Sequence, residues 1–275
     1  MSMDIGRLGI WLWGGSLGAD IAREAERLGY GAIWLGGSPP GDLAQVDELL
    51  GATNRITVAT GIVNMWKDDA ATVAASFHRI EGRHPGRFLL GVGIGHPEGT
   101  PEYRKPYQKI VDYLDRLDGA GVPVERRVLA ALGPNVLRLA RERAAGAHPY
   151  LTTPEHTRAA RETLGTGKLL APEQKVVLSA DTGTARATAR ATVERYLGLT
   201  NYRRNLLRMG WAEADLDHGG SDRLIDALVL HGRAGDIARG ITAHLDAGAD
   251  HVCVQPLGPD PLPAIRALSE ALLSS

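Results

Sequence analysis

RITVATGIVNMWKDDAATVAASFHRIEGRHPGRFLLGVGIG, Arg55 to Gly95, contains a short apolar run, a helical pattern and a second short apolar run, in that order. RITVATGIV (55–63) is rich in β-branched residues, which favour a pleated strand. DDAATVAASFHRIEG then carries helical spacing, and GRFLLGVG (86–93) is strand-like again. Strand, helix, strand in one span is the repeating unit of a parallel sheet covered by helices.

The same alternation continues in both directions. Upstream, RLGIWLW (7–13) precedes DIAREAERLG, whose Ile21, Ala22, Ala25 and Leu28 keep helical spacing until Gly29 stops it. GAIWLG (31–36) precedes DLAQVDELLGAT, with Asp42 a suitable N-cap. Downstream, GRFLLGVG is followed by YQKIVDYLDRLDGAG. RVLAAL (127–132) is followed by PNVLRLARERAAG, where Pro134 sits at the favoured helix start. AHPYL (147–151), QKVVLSA (174–180) and DHVCVQPL (250–257) complete the strand-like runs, with a polar, helical insertion at about 200–230. Eight such runs in 275 residues predict a single (β/α)8 TIM-barrel domain spanning 1–275. A doubly wound open sheet is the alternative.

Composition narrows the function. Basic and acidic residues number 31 and 32, a net of −1, with no basic block to suit nucleic acid or an anionic membrane. The single cysteine, Cys253, lies in an apolar run and reads as a buried strand thiol, which fits a reducing, cytoplasmic setting. The start, MSMDIGRLGIWLWGGS, lacks a basic n-region and a span of membrane length, so a soluble protein is expected.

In a barrel of this kind chemistry sits at the C-terminal ends of the strands. Those ends read WLWGGS, WLGGSPPG, GIVNMW, GVGIGHPEG and ALGP. Trp11, Trp13, Trp34 and Trp66 gather there with many glycines, as suits a pocket for a broad, flat group. Gly91, Gly93 and Gly95 alternate, so they share one face of their strand, opposite Leu90, Val92 and Ile94. A bare strand face marks close approach by a ligand or by another backbone. The spacing GxGxG followed by Pro97 is not a dinucleotide fingerprint. No GxxxxGK[ST], HExxH, GxSxG or paired-cysteine motif is present, and His148 and His156 do not make a metal pair. His96 ends the fourth strand on the functional face, where an imidazole can donate or relay a proton or simply bond a loop carbonyl. Asp68 and Asp69 suit a helix N-terminus better than a catalytic dyad.

The segment ATGIVNMW…ATVAASFHRIEGRHPGRFLLGVGIG, with LGYGAIWLGG, VLAALGP and HGRAGDIARGITAHLDAGADHVCVQ, resembles the luciferase-like superfamily of flavin- and deazaflavin-dependent oxidoreductases. It is most similar to the coenzyme F420-dependent branch of actinobacterial type. The resemblance implies a (β/α)8 barrel with a flat ring at its C-terminal mouth, resting on a bulge in the third strand that often contains a non-proline cis peptide. The matching position is Thr60-Gly61, followed by Ile62 and Val63, with Thr60, Gly61 and Val63 implied at the cofactor. It also implies that Ile94, Gly95 and His96 border the ring, and that Ala131, Leu132, Gly133 and Pro134 help hold the phosphate. Two departures stand out. Gly37-Ser38 occupies the place of the Asp-His pair of sugar-phosphate dehydrogenases, and His96 that of their glutamate proton donor. The resemblance therefore implies hydride transfer with F420 to or from a small-molecule substrate, with His96 as proton donor or ring-side hydrogen bond. Reduced FMN with oxygen, or cofactor binding without catalysis, are the alternatives. Trp13, Gly37, Ser38 and Trp66 would line the substrate pocket, with Trp34 and the insertion adding specificity, and a homodimer is implied as partner.

Overall fold

The computed structural model describes residues 3, 5–101 and 103–273. Its strands are β1 (Leu8–Trp13), β2 (Ala32–Gly36), β3 (Thr57–Gly61), β4 (Val63–Asn64), β5 (Phe88–Gly93), β6 (Arg127–Leu129), β7 (Gly146–Ala147), β8 (Leu169–Leu170), β9 (Glu173–Leu178), β10 (Val229–Gly232) and β11 (Val252–Pro256). They pair in parallel in the order β10-β9-β11-β1-β2-β3-β5-β6-β7-β8, with β4 beside β5. The ends of that order meet because β8 and β9 are one stretch of chain broken at Ala171–Pro172. On one side this stretch bonds to β7 and the residues after it, through Ala171 N–H to Ala147 O and Glu173 N–H to Pro149 O. On the other it pairs with β11, Cys253 opposite Glu173. With β3–β4 and β8–β9 each taken as one broken strand and β10 set aside, the eight strands of a (β/α)8 TIM barrel remain.

Helices α1 (Ala19–Arg27), α2 (Ala44–Gly51), α3 (Ala70–Arg83), α4 (Pro106–Gly119), α5 (Pro134–Arg143) and α6 (Pro154–Leu164) follow the first six strands. Then come α7 (Thr182–Leu197), α8 (Thr200–Arg208), α9 (Glu213–Leu216), α10 (Asp222–Leu228), α11 (Ala234–Asp246) and α12 (Leu262–Leu272). Local chemistry sets their ends. Gly29, at φ +89°, lies just past α1. Asp69 caps α3 by accepting from the N–H groups of Ala71 and Thr72, so Asp68-Asp69 is a helix start. Asp42 lies one residue before the N-cap position of α2 and still accepts from Ala44 N–H.

Strand alternation divides the core. Leu8, Ile10 and Leu12 of β1 face outward to the helices, packing in one cluster with Ala22, Val46, Val73 and Phe77. Trp11 and Trp34 face inward with Ala59, Leu89, Val128 and Cys253. They lie inside the barrel, 2% and 0% exposed, rather than at the rim where their position at strand ends had placed them. Glycine makes the room: a Cβ on Gly36 would stand 2.2 Å from the Trp11 ring. Trp34 donates from Nε1 to His251 Nε2 at 3.1 Å and stacks on His148 with centroids 4.2 Å apart.

Three boundaries differ from the sequence reading. The sixth strand is only Gly146–Ala147, and the seventh begins at Leu169, five residues before the expected 174. The insertion is helical, as α8 to α10, but it ends in β10, which pairs with β9. Among the described residues no helix is long and apolar enough to cross a membrane.

Candidate active site

The mouth of the barrel is shaped by a break in the third strand. The peptide Gly61–Ile62 is cis, β3 stops at Gly61, and β4 resumes at Val63. Thr60 anchors the break: its Oγ1 donates to Gly91 O and accepts from Gly91 N–H, each at 2.8 Å. The glycine face of β5 receives this structure. A Cβ on Gly91 would stand 1.8 Å from Thr60 O, and one on Gly93 would stand 2.9 Å from the Ile62 side chain. One on Gly95, at φ +64°, would meet Asn64 Nδ2 at 2.6 Å. The alternating glycines thus accommodate a neighbouring strand and its side chains. They are not a bare surface kept for a ligand.

The surface left at the mouth consists of Gly61, Ile62, Ile94, Gly95 and His96, all half-buried, whereas Thr57–Thr60 and Phe88–Gly93 are buried. Val63 turns its side chain into the helix-side core, so only its backbone belongs to this rim. Trp13, 39% exposed, crosses Gly37, where a Cβ would meet its ring at 2.6 Å. Ser38 follows with φ +55°. Trp66 packs against Tyr103 with centroids 5.9 Å apart, and its buried Nε1 has no partner among the described residues. The structure therefore brings Gly61, Ile94, Gly95, His96, Trp13, Gly37, Ser38 and Trp66 to the same end of the barrel. Trp34 is core.

Residues distant in sequence complete the site. Helix α8 delivers Asn201 and Tyr202 to His96: the Asn201 amide nitrogen lies 3.1 Å from Gly95 O and 3.4 Å from His96 Nδ1, and the Tyr202 and His96 ring centroids are 5.0 Å apart. Behind them Tyr150, Tyr196 and Tyr202 form an aromatic cluster, with a 2.8 Å contact between the Tyr150 and Tyr196 hydroxyls. Buried Lys175 places Nζ over the Tyr150 ring at 3.6 Å and pairs with Glu173 at 2.9 Å. Burial lowers the lysine pKa and raises the glutamate pKa, while their mutual attraction opposes both. Burial also lowers the His96 pKa, against the pull of Glu98.

Leu132, Gly133 and Pro134 form a second feature. Gly133 is the N-cap of α5, without a side chain to cap it, so first-turn N–H groups have no intrahelical partner. The Leu132 carbonyl accepts from Arg208 at 2.9 Å and lies 2.9 Å from His156 Nε2. Arg208 Nη1 stands 3.6 Å from the Cβ position of Gly133, so a cation flanks a helix N-terminus, a suitable place for an anion. Ala131 is buried in the core. Nearby, a cavity of about 170 Å³ is lined by Thr153, Glu155, Met209 and Trp211. A larger one, about 340 Å³, opens at the opposite end between Ile5, Leu89, Ala145 and Leu169. It lies at strand beginnings, where such barrels carry stability rather than chemistry. No cluster suited to a metal ion occurs among the described residues, and Cys253 is fully buried with its pKa raised by burial.

By fold the chain is a (β/α)8 barrel, and part of it is similar to luciferase-like proteins. The sequence model of the luciferase-like monooxygenase family matches residues 18–121. The uncharacterized protein YvbT of Bacillus subtilis (strain 168) is 26% identical over 144 residues, 42% of this chain and 43% of that protein. The chain thus aligns with less than half the length of the curated relatives it matches. Among solved structures, an F420-dependent secondary alcohol dehydrogenase in complex with an F420-acetone adduct superposes with a TM-score of 0.78 at 15% identity, covering 98% of this chain and 99% of that one. The oxygenating constituent of 3,6-diketocamphane monooxygenase from Pseudomonas putida, in complex with FMN, gives 0.68 at 16% identity, covering 98% and 96%.

Proposed function

We propose that this chain is an F420-dependent oxidoreductase that moves a hydride between the deazaflavin and a small organic substrate at the barrel mouth. The observation that carries this reading is the joint placement of the broken third strand, His96 and the α5 N-terminus at one end of the barrel. The residues present fit a flat ring bearing a phosphate. Gly61, Ile62 and Ile94 offer a half-buried, mostly apolar floor, Trp66 Nε1 is a buried donor without a partner among the described residues, and Arg208 flanks the start of α5, whose first-turn N–H groups have no intrahelical partner. F420, when bound, supplies the hydride chemistry. The chain's own residues orient the reactants, and His96 offers a hydrogen bond at the reacting end. Trp13, Ser38 and Trp66 line the substrate side, and two copies of the chain associate through barrel helices.

A second reading, an FMN-dependent monooxygenase, is supported by the matching family model and the FMN-bound structural relative. Equilibrium binding of F420 and FMN, followed side by side by fluorescence and calorimetry, separates the two. Submicromolar binding of F420 with much weaker FMN binding supports hydride transfer; the reverse order moves the protein to oxygen chemistry. Binding of neither overturns both. Arg208→Ala is expected to weaken the preferred cofactor roughly tenfold or more by removing its charge-assisted contact.

A further inference from the structure

The loop carrying His96 is held by three consecutive residues from the far side of the sequence. Glu98 Oε1 accepts from Thr200 N–H at 2.9 Å and from Thr200 Oγ1 at 2.5 Å, fixing the first turn of α8 to the loop after β5. Asn201 follows with its amide nitrogen 3.1 Å from Gly95 O, 3.4 Å from His96 Nδ1 and 3.4 Å from the Tyr103 hydroxyl. Tyr202 then packs its ring against the imidazole at 5.0 Å between centroids.

The hydrogen-bond inventory of these groups decides the protonation of the ring. A backbone carbonyl only accepts, so the Asn201 atom facing Gly95 O must be the NH2 group and not the amide oxygen. That NH2 has two hydrogens and only donates: one goes to Gly95 O and the other is shared between His96 Nδ1 and the Tyr103 hydroxyl, so Nδ1 presents a lone pair toward it. In a neutral imidazole the proton then sits on Nε2. An imidazolium would set an N–H against an N–H, which Asn201 disfavours.

We infer that Asn201 is a positioning residue that holds His96 as the neutral tautomer with Nε2–H directed at the barrel mouth. His96 then acts as a neutral hydrogen-bond donor to an oxygen of the substrate or the cofactor ring, and not as the acid that gives up its proton. Full transfer from a neutral imidazole would leave an imidazolate, so the proton that completes a carbonyl reduction comes from solvent. This inference rests on the proposed reaction site for its role, but not for its test. Among the described residues Glu98 acts on His96 by charge and Tyr202 packs on its ring, while Tyr103 meets the other side of the Asn201 amide. The Glu98 carboxylate is engaged with Thr200, and burial keeps the Tyr202 hydroxyl protonated.

The test is nitrogen-15 NMR of histidine-labelled protein without added cofactor, with the His96 signals assigned by their loss in His96→Gln. The expected result is an unprotonated Nδ1 and a protonated Nε2 at about pH 7 to 8, above the ordinary imidazole value of about 6.5. Asn201→Asp should turn the ring toward Nδ1–H and move its titration upward by roughly one pH unit or more. Asn201→Ala should give a mixture of tautomers. A protonated Nδ1 in the wild type, or tautomers unchanged in both variants, overturns the inference. If the tautomer is as expected but neither F420 nor FMN binds, the proposed function fails while the positioning role of Asn201 stands.

Discussion

Glu173 and Lys175 stand two apart on β9, so both point into the barrel, and both side chains are fully buried. Among the described residues, beyond Lys175, the Glu173 carboxylate accepts only the Leu151 N–H, at 3.2 Å through Oε2, while Oε1 has no partner. The lysine is held between that carboxylate and the Tyr150 ring. Removing one charge strands the other in a low-dielectric interior. Lys175→Met should therefore cost about 3–5 kcal/mol of stability, measured by urea denaturation. Adding Glu173→Gln should return most of it, because the remaining amide carries no charge. A single variant within 1 kcal/mol of wild type would mean that the pair contributes little. EQKVV held a signal for this pair, since alternate charges on a strand share a face, but the expected strand began at Gln174 and left Glu173 outside it. Asn201 and Tyr202 gave no such signal: they lie about a hundred residues from His96, in a polar helix whose docking depends on tertiary contacts.

At the scale of elements, the βαβ unit from β3 to β5 was legible because periodicity and β-branched residues are local properties. The purpose of its glycines was not, because a missing side chain shows that something approaches without showing what. The occupant is the Thr60 carbonyl and the Ile62 side chain. Periodicity set the sixth run at 147–151, meeting β7 only at Ala147, and missed β8; each is two residues long, with pairing fixed by closure of the ring. The crowding at Gly91 gives a sharp contrast. Gly91→Ala would place a methyl 1.8 Å from a backbone oxygen that cannot rotate away, and should destabilise by at least about 3 kcal/mol or prevent folding. Gly82→Ala, on an exposed turn of α3 with nothing within 4 Å, should stabilise by roughly 0.5–1 kcal/mol. Thermal unfolding of the two variants checks both signs. An undisturbed Gly91→Ala would show that β3 and β5 are less closely apposed than the structure has them.

The whole molecule carries a pH dependence built from histidines that chemistry at the mouth does not use. His148, His244 and His251 are buried, and burial lowers each pKa from 6.5 to about 4. His148 lies 2.7 Å through Nδ1 from Ala171 O and stacks on Trp34; His251 accepts from that tryptophan. His244 bridges Thr157 and Gln174, tying α6 and α11 to β9. In the unfolded chain these imidazoles titrate near 6.5, so between the two values the unfolded state binds protons that the folded state refuses. Their contribution to stability is complete above about pH 6.5, declines as pH falls through that value, and is exhausted near 4. Unfolding at pH 5 to 5.5 should accordingly take up at least about three protons, read from the slope of unfolding free energy against pH in guanidinium titrations. His244→Gln should reduce that uptake by about one while keeping a hydrogen-bonding side chain between the helices. A flat profile between pH 6.5 and 4.5 would mean that these rings meet water in the folded barrel. The interior would then be an open, hydrated channel, and not the packed floor on which a ring at the mouth would have to rest.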